Sequence, residues 1–370
     1  MLKRTLATIL ALLLTVTLVL TGCSNDAGNG GSGSASTPSS PSSGSSTPAG
    51  NGDKVGPDIK LRFSSQSNPE AMPLMVVQSI IDEITEQSGG AIQIDLYPSN
   101  QLGDWTTVFN EVMMGTIDIA HTSVPDSMDP RIAAGYLMYM STSYDAIREL
   151  YAEGSWLREL LTEIYAGMNV KYMGPSFQGF NGLGTAKELN EPLNPNVDKG
   201  VIIRCASQTT VSEGLADLGY RTSSIPYNEV YTSLQTGIVD GWLGGTSNTN
   251  YVNFRDVITH YYDLYIQAEV NAFNMSMASW NKLSPEQQEI VETAFRNGQD
   301  YMFSLVEDTL LENNRLLEES GVKVITYTPE ELSVCAEKSR TVTWPKLEAT
   351  YGADFFVKLN EELARIEEGA

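Results

Sequence analysis

Two α/β lobes crossed by one long helix form the fold that this sequence predicts, on three observations. Short β-type runs alternate with amphipathic helical runs, which implies mostly parallel sheets. The alternation occurs twice, as a loose internal repeat. A capped apolar pattern near the C-terminus is too long to belong to one lobe.

The first unit opens with a strand at 59–65 and a helix starting near Asn68-Pro69, a cap followed by proline at the first helical position. That helix stops at Gly89-Gly90; strand 91–97, helix 104–114 and strand 116–120 follow. The second unit opens with strand 201–205, then a helix ending at Gly219 and a short strand before Pro226. Helix 229–236 and strand 238–240 complete it, and the glycines after Asp240 read as a bare loop around Trp242. Ile59-Lys-Leu-Arg-Phe-Ser-Ser-Gln66 pairs with Val201-Ile-Ile-Arg-Cys-Ala-Ser-Gln208 in this repeat. Val108 to Asp118 pairs with Val230 to Asp240, each an apolar helix, a glycine stop and a strand ending in Asp. Right-handed crossovers place the strand C-termini along one edge, where open α/β sheets take ligands. Two such sheets facing each other would form a cleft lined by strand-end loops.

Ser284-Pro-Glu-Gln287 is a capping-box start. Apolar residues then recur from Ile290 to Leu317, and Gly321 is the stop. A continuous helix here is about 54 Å long at 1.5 Å per residue. It is either broken near Gly298 or braces both lobes; a brace that flexes is the expectation.

The N-terminus is a targeting device. Lys3 and Arg4 precede an apolar run from Leu6 to Leu20, too short for a comfortable membrane span, so residues 1–22 read as a secretory signal. Leu20-Thr-Gly-Cys23 resembles the bacterial lipobox, which implies lipidation of Cys23 and a membrane anchor on the outer face of the cell membrane or in the periplasm. Residues 24–57 are mainly Ser, Gly, Pro, Asn, Ala and Thr, a flexible tether that reaches roughly 30–35 Å. The folded body is then 58–370. Its first lobe is expected at about 58–178 plus about 270–310, its second at about 179–269 plus the C-terminal helices.

The chain carries a formal charge of −23, and such an acidic surface repels nucleic acid. With Cys23 lipidated, Cys205 and Cys335 are left, allowing one disulfide but no framework. Two histidines, His121 and His260, lie far apart without ligand spacing, so neither a metal site nor a cofactor is expected. There is no nucleophile elbow, phosphate loop or zinc-protease motif, and no catalytic residue is expected. Each histidine reads as structural.

One cation stands in an apolar run: Arg204, within Val201-Ile-Ile-Arg-Cys-Ala206. A buried guanidinium needs a partner, and its planar fork suits a carboxylate held on two prongs. That carboxylate belongs either to the protein or to a ligand. Arg62 holds the equivalent place in the first unit.

At this point the body resembles the substrate-binding protein of a tripartite ATP-independent periplasmic (TRAP) transporter, the DctP-like family. The matching stretches are Tyr97-Pro-Ser-Asn-Gln-Leu-Gly103, Gly115-Thr-Ile-Asp118, Gly200-Val-Ile-Ile-Arg204, Asn228 to Gly241, and Trp280-Asn-Lys-Leu-Ser284. The resemblance implies a two-lobe periplasmic-binding-protein-like fold closing over an organic acid, with Arg204 gripping its carboxylate. It also implies delivery to TRAP-type integral membrane subunits driven by an ion gradient. Two departures matter. Gly244 stands where the family often has a ligand-facing Asn, and no arginine lies between Arg158 and Arg204, where many members have a second one. Both remove polar handles, and Trp242 adds an indole, expected as a wall of the cleft. A ligand with one carboxylate and a flat or apolar body is therefore expected over a small dicarboxylate or a sialic acid.

Other expected ligand contacts are Gln66 and Ser207 at the two strand ends, next to helix N-termini, and Trp105 at a helix start. Phe177 and Asn181, in a loop preceding Arg204, and Asn274, near a lobe crossing, complete the set. The competing readings are a receptor of an ATP-driven importer, a surface enzyme acting on an organic acid, and a sensor or adhesion module.

Overall fold

The computed structural model of the chain describes residues 54–123 and 127–369. The signal segment, Cys23 and the tether up to residue 53 lie outside the described residues. The last tether residues, 54–57, belong to the body. Val55 N–H donates to the Ser88 carbonyl at 3.0 Å, and Gln287 Nε2 donates to the Val55 and Pro57 carbonyls at 2.9 and 2.8 Å.

β1 (Ile59–Ser65), α1 (Met72–Gln87), β2 (Ile92–Tyr97), α2 (Trp105–Met114) and β3 (Ile119–Thr122) form the first unit in the expected order. β1 pairs in parallel with both β2 and β3. α1 begins four residues beyond Asn68, because the Asn68 side chain donates to Asn253 Oδ1 at 2.6 Å instead of capping the helix. α3 (Tyr144–Leu150) and α4 (Trp156–Gly167) lead into β4 (Val170–Thr185). The second unit is β5 (Ile202–Cys205), α5 (Thr209–Asp217), β6 (Arg221–Ser224), α6 (Val230–Gln235) and β7 (Gly241–Gly245), again parallel about its first strand. α7 (Ser247–Phe254), β8 (His260–Ser276) and α8 (Met277–Trp280) follow.

The repeat has a structural counterpart. Asp118 Oδ2 accepts from the Arg62 N–H at 2.7 Å, and Asp240 Oδ2 accepts from the Ile202 N–H at 2.9 Å. Each terminal Asp thus pins a neighbouring strand. Asp118 and Asp240 both lie before their strands, not at strand ends, so the expected strands 116–120 and 238–240 are corrected to β3 and β7.

Two separate facing sheets are also corrected. The strands form one sheet in the order β2-β1-β3-β8-β4-β7-β5-β6, with β9 (Lys323–Thr326) on β8. β4 and β8, of 16 and 17 residues, run antiparallel and join the two halves. Ser176 faces Asn271 and Asn181 faces Gln267 near the middle of this pair. The register shifts between Phe177 and Phe180, where Gly179 has φ +107°. A Cβ at Gly179 would lie 2.3 Å from Leu310 Cδ1, so the bulge is where a helix presses on the strand.

That helix is α9 (Pro285–Glu319), 35 residues without a break. Ser284 and Gln287 make the expected capping box. α9 packs on α1 and β4 and also on α7 and β9, so it spans both halves of the sheet. Gly298 is not a break. A Cβ there would lie 2.4 Å from Ile80 Cγ1, which makes it the close-packing point of α9 on α1. Gly298→Ala should therefore destabilise the protein, although alanine in an exposed helix would gain about 1 kcal/mol over glycine. A raised melting temperature would show that α9 and α1 are not pressed together.

α10 (Pro329–Lys338), α11 (Trp344–Tyr351) and α12 (Ala353–Gly369) bear on both halves. α12 packs on α3, Trp344 Nε1 donates to the Met138 carbonyl at 3.1 Å, and Thr343 Oγ1 donates to Asp217 of α5 at 2.8 Å. Cys205 and Cys335 are both buried free thiols. His121 is buried between Ser65 Oγ at 3.2 Å and Ser176 Oγ at 2.9 Å, and burial pushes its pKa down to about 3, so it stays neutral. Among the described residues no helix is long and apolar enough to cross a membrane.

Candidate functional site

The strand ends and the β4–β8 bridge enclose a cavity of about 1130 Å³, its open mouth included. Its floor is the middle of the bridge: Gln178 and Asn181 of β4, and Gln267 and Glu269 of β8. Around it stand the ends of β1 (Gln66, Ser67) and β5 (Arg204, Ala206), as expected for strand C-termini. Ser99 and Asn100, both in left-handed backbone, reach it through a turn whose N–H groups donate to the Ser67 and Ser65 carbonyls. Trp105 at the start of α2, Tyr136, Tyr227, and Asn253 of α7 close the sides.

Arg204 is 5% exposed and lies at the end of β5. Its Nε donates to the Ile225 carbonyl at 2.7 Å, and Nη1 lies 3.5 Å from the Leu243 carbonyl. Among the described residues no carboxylate comes within the 4.0 Å of an ion pair. Burial lowers its pKa to about 10, so it keeps its charge at neutral pH. A cation held by two carbonyls, without a protein anion, is poised for an anion from outside. Arg62, its counterpart in the repeat, is exposed and does not line this cavity.

Glu269 is 7% exposed, and Asn181 Nδ2 donates to its Oε2 at 2.7 Å. Burial pushes its pKa up to about 7, against the opposing effects of Asn181 and Arg204. Because the folded protein holds this proton more tightly than the unfolded chain, stability falls as pH rises from about 4.5 to about 7, and the cost is full above that. Glu269→Gln should thus stabilise the unliganded protein at pH 8, by up to about 3 kcal/mol, and change it little near pH 4.5. Denaturant unfolding at the two pH values checks this; equal effects at both would contradict it. Asp263, which burial also pushes up to about 7, adds a slope of the same sign in both proteins.

Of the residues expected to contact a ligand, Arg204, Gln66, Trp105 and Asn181 line the cavity, while Trp242, Ser207, Phe177 and Asn274 do not. Trp242 is corrected most. It is fully buried in β7, within a core of Val230, Leu234, Phe254 and Tyr261, and its Nε1 donates to Asn250 Oδ1 at 2.9 Å. The glycines around it make room for the indole. A Cβ at Gly245 would lie 2.5 Å from Trp242 Cη2, and one at Gly184 would lie 2.9 Å from its Nε1. Gly244 lines the cavity; its Cβ position is 3.3 Å from Trp242 and 3.5 Å from Arg204 Nη1. The indole therefore stands behind the wall.

Ser207 is exposed beside the mouth of α5. Phe177 is buried with Phe180, Tyr144 and Phe303, because strand alternation turns it away from the side that Gln178 occupies. The stretch 177–182 is strand, not loop. Asn274 is buried in β8, between Ala120 of β3 and Tyr172 of β4. Gln178, Gln267, Glu269, Tyr136, Tyr227 and Asn253 were missed. The signal for two of them was the alternation of Gln267, Glu269 and Asn271 with Ala268, Val270 and Ala272, a period-2 pattern within an otherwise apolar run.

Known proteins share this architecture. The family described as DctP, bacterial extracellular solute-binding protein family 7, matches residues 65–348. The sialic acid-binding periplasmic protein SiaP of Vibrio cholerae is 23% identical over 270 residues, 72% of this chain and 82% of that protein. The sugar acid binding protein DctPAm of Advenella mimigardefordensis, solved with galactonate, superposes with a TM-score of 0.76 at 16% identity, covering 85% of this chain and 99% of that one. A TRAP periplasmic solute binding protein of Desulfovibrio salexigens, solved with orotic acid, superposes with a TM-score of 0.75 at 18% identity, covering 83% and 99%. With the family's match spanning most of the described body, the chain belongs to the bacterial extracellular solute-binding proteins of family 7.

Proposed function

We propose that this protein is an extracytoplasmic receptor that captures an organic acid by its carboxylate on Arg204 and delivers it to TRAP-type membrane subunits. The observation that carries this is the buried Arg204 guanidinium, facing the cavity with no protein carboxylate in ion-pair reach among the described residues. The acids held by related folds, orotic acid and galactonate, support the ligand class. The lipobox-like Leu20-Thr-Gly-Cys23 supports a lipid anchor at Cys23 with a tether behind it.

Binding would close two lobes about the β4–β8 bridge. The proposed lobes are about 58–178 plus about 270–310, and about 179–269 plus the C-terminal helices. The bulge between Phe177 and Phe180 supports a hinge there. Closure is populated only as far as the ligand prefers the closed form. No catalysis is proposed, since the buried neutral His121 and the exposed Thr259–His260 pair offer no activated nucleophile.

A thermal-shift screen against organic acids tests the reading. An acid at 100 times its dissociation constant should add about 2.7 kcal/mol of stability. A set of hits composed wholly of uncharged solutes would contradict it.

A further inference from the structure

We propose that Glu269 and Asn181 form a second pole of this site that receives a hydrogen-bond donor of the ligand. The preferred ligand is then a monocarboxylate bearing an ammonium or hydroxyl group away from its carboxylate, and not a dicarboxylate. The inference rests on the Arg204 reading and adds the chemistry of the ligand's other end.

Three observations carry it. Glu269 lines the same cavity as Arg204, yet the two are not joined by an ion pair within 4.0 Å, so neither is used up by contact with the other. Glu269 accepts one hydrogen bond, from Asn181, and an ionised carboxylate has capacity for several. Asn181 is fully buried, and its Oδ1 has no hydrogen-bond partner. When Glu269 is ionised, as at pH 8, it accepts only, so the amide turns its NH2 to Glu269 and leaves its oxygen as an unused acceptor. Two acceptors with spare capacity lie side by side, and both line the cavity. The matching group on a ligand is a donor. Gln178, 7% exposed in the same cavity, has an unpartnered Nε2 that supplies a donor for the ligand's acceptor atoms.

Charge points the same way. Arg204 is the one basic residue among the described lining residues, so a single ligand carboxylate balances it. A second carboxylate placed at this pole would sit against Glu269 and the acceptor oxygen of Asn181, with no second cation in the lining to balance it. An ammonium group would neutralise Glu269, and a hydroxyl group would satisfy it without neutralising it.

The experiment is calorimetric titration of the purified full-length chain at pH 8 with matched straight-chain acids of four to six carbons. Their far ends carry an ammonium, hydroxyl, methyl or carboxylate group. The ammonium or hydroxyl acids should bind about tenfold or more tighter than the methyl-ended ones, and the dicarboxylates weakest. Glu269→Gln should flatten this ranking and raise the relative affinity for dicarboxylates. A larger loss for ammonium acids than for hydroxyl acids in that variant assigns the natural donor as ammonium; equal, smaller losses assign it as hydroxyl. Preference of the unaltered protein for dicarboxylates would overturn the proposal, and that ranking decides even if the variant fails to fold. So would a ranking that Glu269→Gln leaves unchanged. If acids bind through Arg204 but the ranking ignores Glu269, this inference alone fails; if Arg204→Lys binds every acid as the parent does, the carboxylate reading fails with it.

Discussion

Arg204→Ala will lower affinity for every carboxylate ligand by at least about a hundredfold, with the unliganded protein still folded. The size follows from removing a desolvated, charge-assisted fork from an anion, which costs a few kcal/mol in buried pairs. The fold survives for a related reason. The guanidinium is buried with no carboxylate in ion-pair reach among the described residues, so it contributes little net stability in the empty state. Its removal leaves the Ile225 and Leu243 carbonyls short of a donor, a cost that solvent entering the vacated space would offset. Arg204→Lys should recover only part of the binding, because a point charge cannot hold both carboxylate oxygens in the plane of a fork. Isothermal titration with a ligand from the screen measures the loss. Normal binding by Arg204→Ala would remove the carboxylate clamp from the account.

Trp242→Ala will cost about 3–5 kcal/mol of folding stability, the usual range for emptying a fully buried aromatic site. The indole touches Phe254, with ring centroids 4.4 Å apart, and lies near Tyr227 as well. Its loss also leaves Asn250 Oδ1 without the indole donor, while Asn250 Nδ2 remains tied to the Gly245 and Thr246 carbonyls. Trp242→Phe weights these effects differently, keeping much of the apolar volume while losing the hydrogen bond, and should cost less than Trp242→Ala, about 2 kcal/mol. Denaturant unfolding reads both. In the folded fraction of Trp242→Ala, flat and small acids should lose affinity equally; a selective loss for flat acids would put the indole back in the wall of the cavity.

Trp242 also marks where reading the sequence reaches its limit. A tryptophan among glycines has two physical explanations, a backbone that must approach a ligand or a backbone that must make room for the ring. Only the three-dimensional packing of Gly184, Gly244 and Gly245 separates them. Elements with local signals were legible. The Ser284 capping box, the glycine stop after α2 and the order of strands and helices in both units all depend on residues a few positions apart. Arg204 was legible because a cation in an apolar run is costly wherever it lands. β4 and β8 were not, since glycines at 174, 179, 182 and 184 disguise β4 and its partner lies some ninety residues away. The floor of the site sits on that pair, so Glu269 and Gln178 were missed along with it.

The most direct test of the central claim is a crystal structure of the protein with a bound acid from the screen. The account predicts the ligand in the cavity between the β1 and β5 ends, with both carboxylate oxygens about 2.7–2.9 Å from Arg204 guanidinium nitrogens. A ligand bound elsewhere, or one in the cavity whose carboxylate is held by other groups and turned away from Arg204, would contradict it.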